Sequence, residues 1–238
     1  MLFASMNKHQ RALLALTLIL PAPLIGVSSS FYLPSLQSAS GDIEIGKAIW
    51  LFAKIWLLGL PIVWLLYVDG GKLSWSPTST KGVIAGFVAA IPVGAVILGT
   101  YFLAKDSIID PVQAKEMVIE LGIGSPAKFL IFASSMSLLN SLMEEYVWRW
   151  FVFSKFKELV GVKTAIIFSA IFFTVHHVVI LWSLDSLWIV FLGSIGLFVG
   201  GAIWGWLYSK YNSIWPGWIC HVAADTAIMW ITWWILMS

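Results

Sequence analysis

Charge is what this sequence has least of. Only 11% of its 238 residues are Asp, Glu, Lys or Arg, less than half the roughly 25% found in a soluble domain. Most of the surface must therefore face something other than water, which excludes an ordinary soluble domain. Cysteine is almost absent too. The single Cys220 excludes an intramolecular disulfide framework and any multi-cysteine metal site, and within an apolar helix it reads as a small core filler. No Lys/Arg-rich tract occurs and the formal net charge is +2, so nothing points to nucleic acid. Low-complexity segments, internal repeats and a His-Glu-x-x-His helix are also missing, and the last absence weakens a metalloprotease reading.

In place of charge there are long apolar runs. Hydrophobic residues make up 60% of the chain, and mean hydropathy is +0.90. The runs recur at about 20 residues, the length that crosses about 30 Å of hydrocarbon. Fifteen Trp residues fit a chain with many membrane–water interfaces. Windows of this length predict seven spans, near 12–33, 47–68, 81–103, 128–153, 163–183, 187–208 and 215–236. The expected fold is all-α, a polytopic membrane bundle of about seven helices, eight at most. The first span follows Lys8 and Arg11 as a secretory signal does. Pro21 and Pro23 interrupt it and no small-residue cleavage site follows, so it reads as a retained span. The fourth is long enough to start or end outside the lipid.

Loop charges set the expected orientation. With the N-terminus inside, Lys8, Arg11, Lys72, Lys81, Lys155, Lys157, Lys163 and Lys210 fall on the inner side. Lys47, Lys105, Lys115 and Lys128 fall outside, diluted by Asp42, Glu44, Asp106, Asp110, Glu116 and Glu120. The bias predicts a multi-pass cell-membrane protein with a cytoplasmic N-terminus. The longest loop, near 104–127, carries Val118, Ile119 and Leu121 among charges and suits a short interfacial helix. Two GxxxG spacings in the sixth span, Gly196/Gly200 and Gly201/Gly205, suit close helix packing.

A charge at the bilayer centre costs about 2.5–3.5 kcal/mol, so ionisable residues within spans are functional hypotheses. Lys54, Glu144, Glu145, Arg149, His176, His177, His221 and Asp225 qualify. Lys54 lies early in its span and is expected to snorkel to the interface. Glu145 and Arg149, four apart, share a helix face and can pair. Glu144, rotated by about 100° on an α-helix, points elsewhere and stays free to act. In Phe172-Phe173-Thr174-Val175-His176-His177, only His177 is expected on the face of Phe173. His221 and Asp225 are again four apart, so Asp225 can hold the imidazole in one tautomer.

A carboxylate and an imidazole can together deprotonate a water for attack on a carbonyl carbon, and a second imidazole can stabilise the oxyanion. The same ligand types could instead hold zinc. A proton-coupled transporter also uses Glu/His relays, but the matching halves it would show are not visible.

Glu144-Glu145-xxx-Arg149, Phe173-xxx-His177 and His221-xxx-Asp225, in that order, resemble the three motifs of the CPBP family. This family comprises the CAAX prenyl endopeptidases of the Rce1 type and their bacterial and archaeal relatives, also called Abi proteins. The resemblance covers roughly residues 128–236, and Ser213-Ile214-Trp215 shares the family's look. It implies a glutamate-dependent intramembrane endopeptidase, similar to bacterial members, with a membrane-associated peptide or protein as substrate and no cofactor. Residues 1–127 would then hold N-terminal membrane helices and the extracytoplasmic loop, and residues 128–238 the catalytic bundle. By resemblance, Glu144 is the general base and His177 helps hold the water, while Glu145 and Arg149 orient the site. His221 and residue 225 form the oxyanion hole, and His176 is the alternative to His177. The family often has Asn where Asp225 stands. An ionised Asp cannot donate to an oxyanion, so Asp225 must be protonated or act by orienting His221. A non-catalytic immunity or scaffold protein that keeps the motif, and a zinc-dependent protease, are the alternatives.

Overall fold

A computed structural model of the protein describes residues 5–33, 36–38, 41–73, 75–108, 110–184 and 186–237. The side chains of Asp42 and Asp106, used in the charge comparison, lie outside the described residues. The helices are α1 (Lys8–Ile19), α2 (Pro21–Tyr32), α3 (Ile45–Tyr67), α4 (Thr80–Ile108), α5 (Pro111–Glu120), α6 (Pro126–Ser134), α7 (Ser141–Glu144), α8 (Ser154–Trp182), α9 (Leu187–Tyr211) and α10 (Trp215–Met237). Two π-helical stretches, Ser135–Asn140 and Glu145–Phe153, flank α7.

Among the described residues, six continuous helical stretches are long and apolar enough to cross a membrane. The longest, Pro126–Trp182, spans 57 residues and is broken at Gly161, whose φ of 76° and ψ of 173° are non-helical. Only glycine adopts that backbone readily, so the stretch reverses there into two crossings. The total agrees with the seven expected.

Proline does not end the first span. Leu20 keeps right-handed helical dihedrals and its N–H still donates to Leu16 at 3.0 Å. Pro21 takes the first position of α2, where a missing N–H costs little. At the other end, Asn7 and Gln10 form a reciprocal cap at 2.9 Å in both directions, fixing the start of α1. Inside α3, Pro61 loosens the backbone ladder, and the Tyr146 hydroxyl donates to the nearby Leu58 carbonyl at 2.9 Å.

The main packed pairs are α2 on α3, α8 on α9 and α4 on α10. Their shared core holds Trp64, Trp148, Phe153, Phe173, Trp204 and Leu207. Of the two GxxxG spacings, Gly201/Gly205 makes the interhelical contact: a Cβ on Gly201 would meet Ala170 of α8 at 3.3 Å, whereas nothing lies within 4 Å of Gly196. Leu103, 89% exposed, and Ile91, 72% exposed, show the outward apolar face that suits lipid. The loop helix expected near 104–127 is α5, capped by Asp110. It turns Val118 onto Phe129 and Leu236 while Ile119 and Leu121 stay exposed. A small antiparallel hairpin, β1 (Leu36–Ser38) and β2 (Gly41–Ile43), was not expected. Strands of three residues are too short for alternation to show in a sequence.

Candidate active site

The site is built where the chain leaves ordinary α-helix. Glu144 closes α7 and Glu145 opens the second π-helical stretch. With i→i+5 hydrogen bonds the turn is wider, so neighbouring side chains diverge by less than the α-helical angle. Glu145 pairs with Arg149 and Glu144 stands apart from that pair, as expected, yet both carboxylates reach one imidazole, at its two different nitrogens. Glu144 Oε2 lies 3.5 Å from His221 Nε2, and Glu145 Oε1 lies 3.1 Å from its Nδ1.

Glu145, Arg149 and His221 form the sealed layer. The Glu145 and Arg149 side chains are fully buried, with Arg149 Nε 3.5 Å from Glu145 Oε1. The guanidinium also lies over the rings of Phe173 and Trp204, 5.0 and 5.5 Å from their centroids. Trp204 stacks on His221 at 3.7 Å, fixing the plane of the imidazole. The Nδ1 partner is Glu145 rather than Asp225, whose Oδ1 stands 3.7 Å from Nε2. This corrects the assignment of tautomer control to Asp225. An imidazole with carboxylates at both nitrogens satisfies both contacts only as a donor at each.

Glu144, His177 and Asp225 form the accessible layer, their side chains 13%, 19% and 22% exposed. His177 Nε2 is 3.8 Å from Glu144 Oε1, while its Nδ1 lies 2.8 Å from the Phe173 carbonyl. That backbone contact makes Nδ1 the donor and leaves Nε2 to accept toward Glu144's side of the site. Both histidines touch Phe173, with ring centroids at 4.5 Å for His177 and 5.6 Å for His176. The expectation that only His177 would do so is corrected. His176 is nevertheless the more enclosed, stacked flat on Trp148 at 5.3 Å. Its ligand atom lies within 4.8 Å of those of Glu144 and His177, so these three could hold a metal ion.

Nearby hydroxyls are committed elsewhere. Ser169 Oγ donates to the Trp148 carbonyl at 3.1 Å, and Ser141 Oγ donates to that of Ser137 at 2.5 Å. Cys220 is buried, as a core filler should be. The chemistry on offer is thus carboxylate–imidazole activation of a small polar molecule beside a second, donating imidazole.

Two contributors escaped sequence reasoning, Gly217 and Asn140, and a third, Lys54, was assigned to the interface. Gly217 of α10 faces Glu145, and a Cβ there would lie 2.5 Å from Oε2. Asn140 donates to Glu144 Oε1 at 3.0 Å, and Lys54 donates to Asn140 Oδ1 at 2.9 Å. Lys54 does not snorkel, which corrects that expectation. The available signal was Asn140, a carboxamide one helical turn before Glu144 within a predicted membrane span.

No curated protein matches the chain, and no solved structure does. The segment carrying both glutamates, Arg149, the three intramembrane histidines and Asp225 is nonetheless matched, over residues 126–227, by the family described as type II CAAX prenyl endopeptidase Rce1-like. Residues 126–227 thus carry a Rce1-like CAAX protease family domain, set in a polytopic membrane protein with a buried glutamate–histidine cluster.

Proposed function

We propose that the protein hydrolyses a peptide bond of a membrane-associated peptide or protein by metal-free water activation, with Glu144 as general base. The observation that carries this reading is the position of the Glu144 carboxylate between His177 Nε2 at 3.8 Å and His221 Nε2 at 3.5 Å. A water held by Glu144 and His177 loses a proton to Glu144 as its oxygen attacks the carbonyl carbon. The carbonyl oxygen becomes an oxyanion that accepts from His221 Nε2–H, and Asp225 adds a second donor when protonated. Glu144 then passes the proton to the leaving amide nitrogen as the C–N bond breaks. Water's oxygen ends on the new carboxyl group and its proton on the new amine. Glu145 and Arg149, sealed from the site opening, act by holding His221 in place.

Residues 128–238 are proposed as the catalytic bundle, with residues 1–127 supplying N-terminal membrane helices against it. The N-terminus is proposed to be cytoplasmic. Support comes from the lysine bias and from the gathering of Lys8, Arg11, Asp69, Lys155 and Glu158 at one end of the bundle. There Lys155 pairs with Asp69 at 2.6 Å and Arg11 donates to the Val68 carbonyl at 2.9 Å.

A zinc-dependent reading is favoured by one observation, the approach of Glu144, His176 and His177 ligand atoms within 4.8 Å. These donors suit zinc, and a zinc ion there would supply Lewis acidity. One experiment separates the readings. Purified wild type and Glu144→Gln are assayed in detergent against a library of membrane-anchored peptides, with and without a chelator. Cleavage lost in Glu144→Gln and kept under chelation supports the metal-free mechanism. Loss under chelation with recovery on zinc addition moves the same residues into a metal site. A non-catalytic immunity role would survive the Glu144→Gln change in cells.

A further inference from the structure

Lys54 occupies the tenth position of the 23-residue α3, roughly 14 Å along the helix from its start. A lysine that can leave the bilayer does so, as Lys47 shows: its side chain is 73% exposed and pairs with Glu44 at 2.6 Å. Lys54 turns inward instead. Its ammonium donates to Asn140 Oδ1 at 2.9 Å, and Asn140 Nδ2 donates to Glu144 Oε1 at 3.0 Å. The ammonium also lies 5.5 Å from the centre of the Trp50 ring on its own helix. This chain of contacts begins outside residues 126–227 and ends on the carboxylate at the centre of the site.

The chemistry of the three groups gives the chain a direction. An asparagine amide can present either oxygen or nitrogen to a neighbour, and the two orientations have nearly the same shape. A lysine has three donors and no acceptor. Placed beside Asn140, it compels the amide oxygen to face α3 and the amide nitrogen to face Glu144. The carboxylate is then gripped at Oε1 by a donor, and Oε2 is left toward His221 Nε2 at 3.5 Å. Without the ammonium, the amide is free to flip and present its oxygen to a carboxylate, which repels it.

We propose that Lys54 is a positioning residue for the hydrolysis. Through Asn140 it sets which Glu144 oxygen is held, Oε1 on the side of His177, and which faces His221. The inference rests on Glu144 being the base, and its test must be separable from that reading.

The test uses full-length protein labelled with 15N-histidine in detergent micelles, comparing wild type with Lys54→Met, Lys54→Arg and, as a control, Lys47→Met. The expected result is displaced ring resonances of His177 and His221 in Lys54→Met, return toward the wild-type positions in Lys54→Arg, and no change in Lys47→Met. Unchanged resonances in folded Lys54→Met overturn the proposal, whether or not any peptide is cleaved. On the membrane-anchored peptide library, kcat of Lys54→Met falls by up to about a hundredfold, the scale of a misplaced reacting group. KM stays within about twofold, because the residue acts through Glu144 and not on the substrate. Asn140→Asp keeps an acceptor for Lys54 but removes the donor to Glu144. It is expected to lose kcat and shift the same resonances, and it decides the matter if Lys54→Met does not fold. A change confined to KM, or a full kcat in folded Asn140→Asp, counts against the proposal. Full cleavage by Glu144→Gln would sink the base assignment alone, while the histidine resonances would still judge the Lys54 link.

Discussion

At residue scale, the tightest constraint around the site is a hydrogen atom. Gly217 approaches Glu145 so closely that a methyl group would sit 2.5 Å from Oε2, 3.3 Å from Cδ and 3.5 Å from Trp204 Cβ. Glu145 cannot retreat, because Arg149 and His221 hold its other oxygen. Gly217→Ala is therefore expected to displace the carboxylate and cost about 1–3 kcal/mol of stability. It should lower the thermal midpoint and weaken cleavage together. The buried pair makes a second prediction. Arg149→Met leaves the buried Glu145 carboxylate without its guanidinium partner and should destabilise by about 3–5 kcal/mol, whereas Arg149→Met combined with Glu145→Leu should recover much of that loss. Recovery of stability without recovery of cleavage would show that the pair matters for orienting His221. A double variant as unstable as the single would refute the buried-charge account.

Element-scale behaviour turns on where the chain departs from regular helix. Gly161 carries the turn inside the long Pro126–Trp182 stretch, with φ near 76° and ψ near 173°. A Cβ in that region of backbone space costs of order 1–3 kcal/mol. Gly161→Ala should thus lower the thermal midpoint, although nothing crowds the position. Gly196→Ala is the matched control, since Gly196 is helical and equally uncrowded, and it should be neutral or slightly stabilising. Equal effects at the two positions would mean that the dihedral carries no cost.

The same scale explains what was legible in the sequence. Apolar runs revealed the crossings because a helix in lipid must satisfy its backbone internally. Spacing also announced the Glu145–Arg149 and His221–Asp225 proximities, since four residues make about one turn. The π-helical segments left no such trace, and neither did the seating of His221 between the two carboxylates, Glu144 at Nε2 and Glu145 at Nδ1. Contacts between distant segments were equally hidden. Whether a lysine such as Lys54 leaves the bilayer or turns inward depends on what the neighbouring helix offers, and Asn140 lies far from it in the chain. The exchange of Asp225 for Glu145 at His221 Nδ1 is of the same kind. Local spacing favoured the partner on α10, and packing supplied a better one from another helix.

Over the whole molecule, one end of the bundle collects charge. Lys8 approaches Glu158, Lys155 bridges Asp69 and Glu158, and Arg11 caps the end of α3 at the Val68 carbonyl. These contacts join the start of α1, the end of α3 and the start of α8, so the three lie on one side of any membrane that encloses the bundle. The lysine bias predicts that this side is the cytoplasmic one. With seven crossings, the end of α10 then lies on the opposite side. Single-cysteine variants make the assignment testable in a Cys220→Ala background, because the lone native cysteine sits in the core. Cysteine at Lys72 or Lys157 should resist a membrane-impermeant maleimide in intact cells and react once the cells are opened. Cysteine at Glu116 on α5 should react in both conditions. The reverse pattern would place the charged end outside, and the site opening would then have to be considered from the other face of the membrane. Labelling of Lys72 and Glu116 variants alike in intact cells would break the seven-crossing topology itself, because α4 alone separates those two positions.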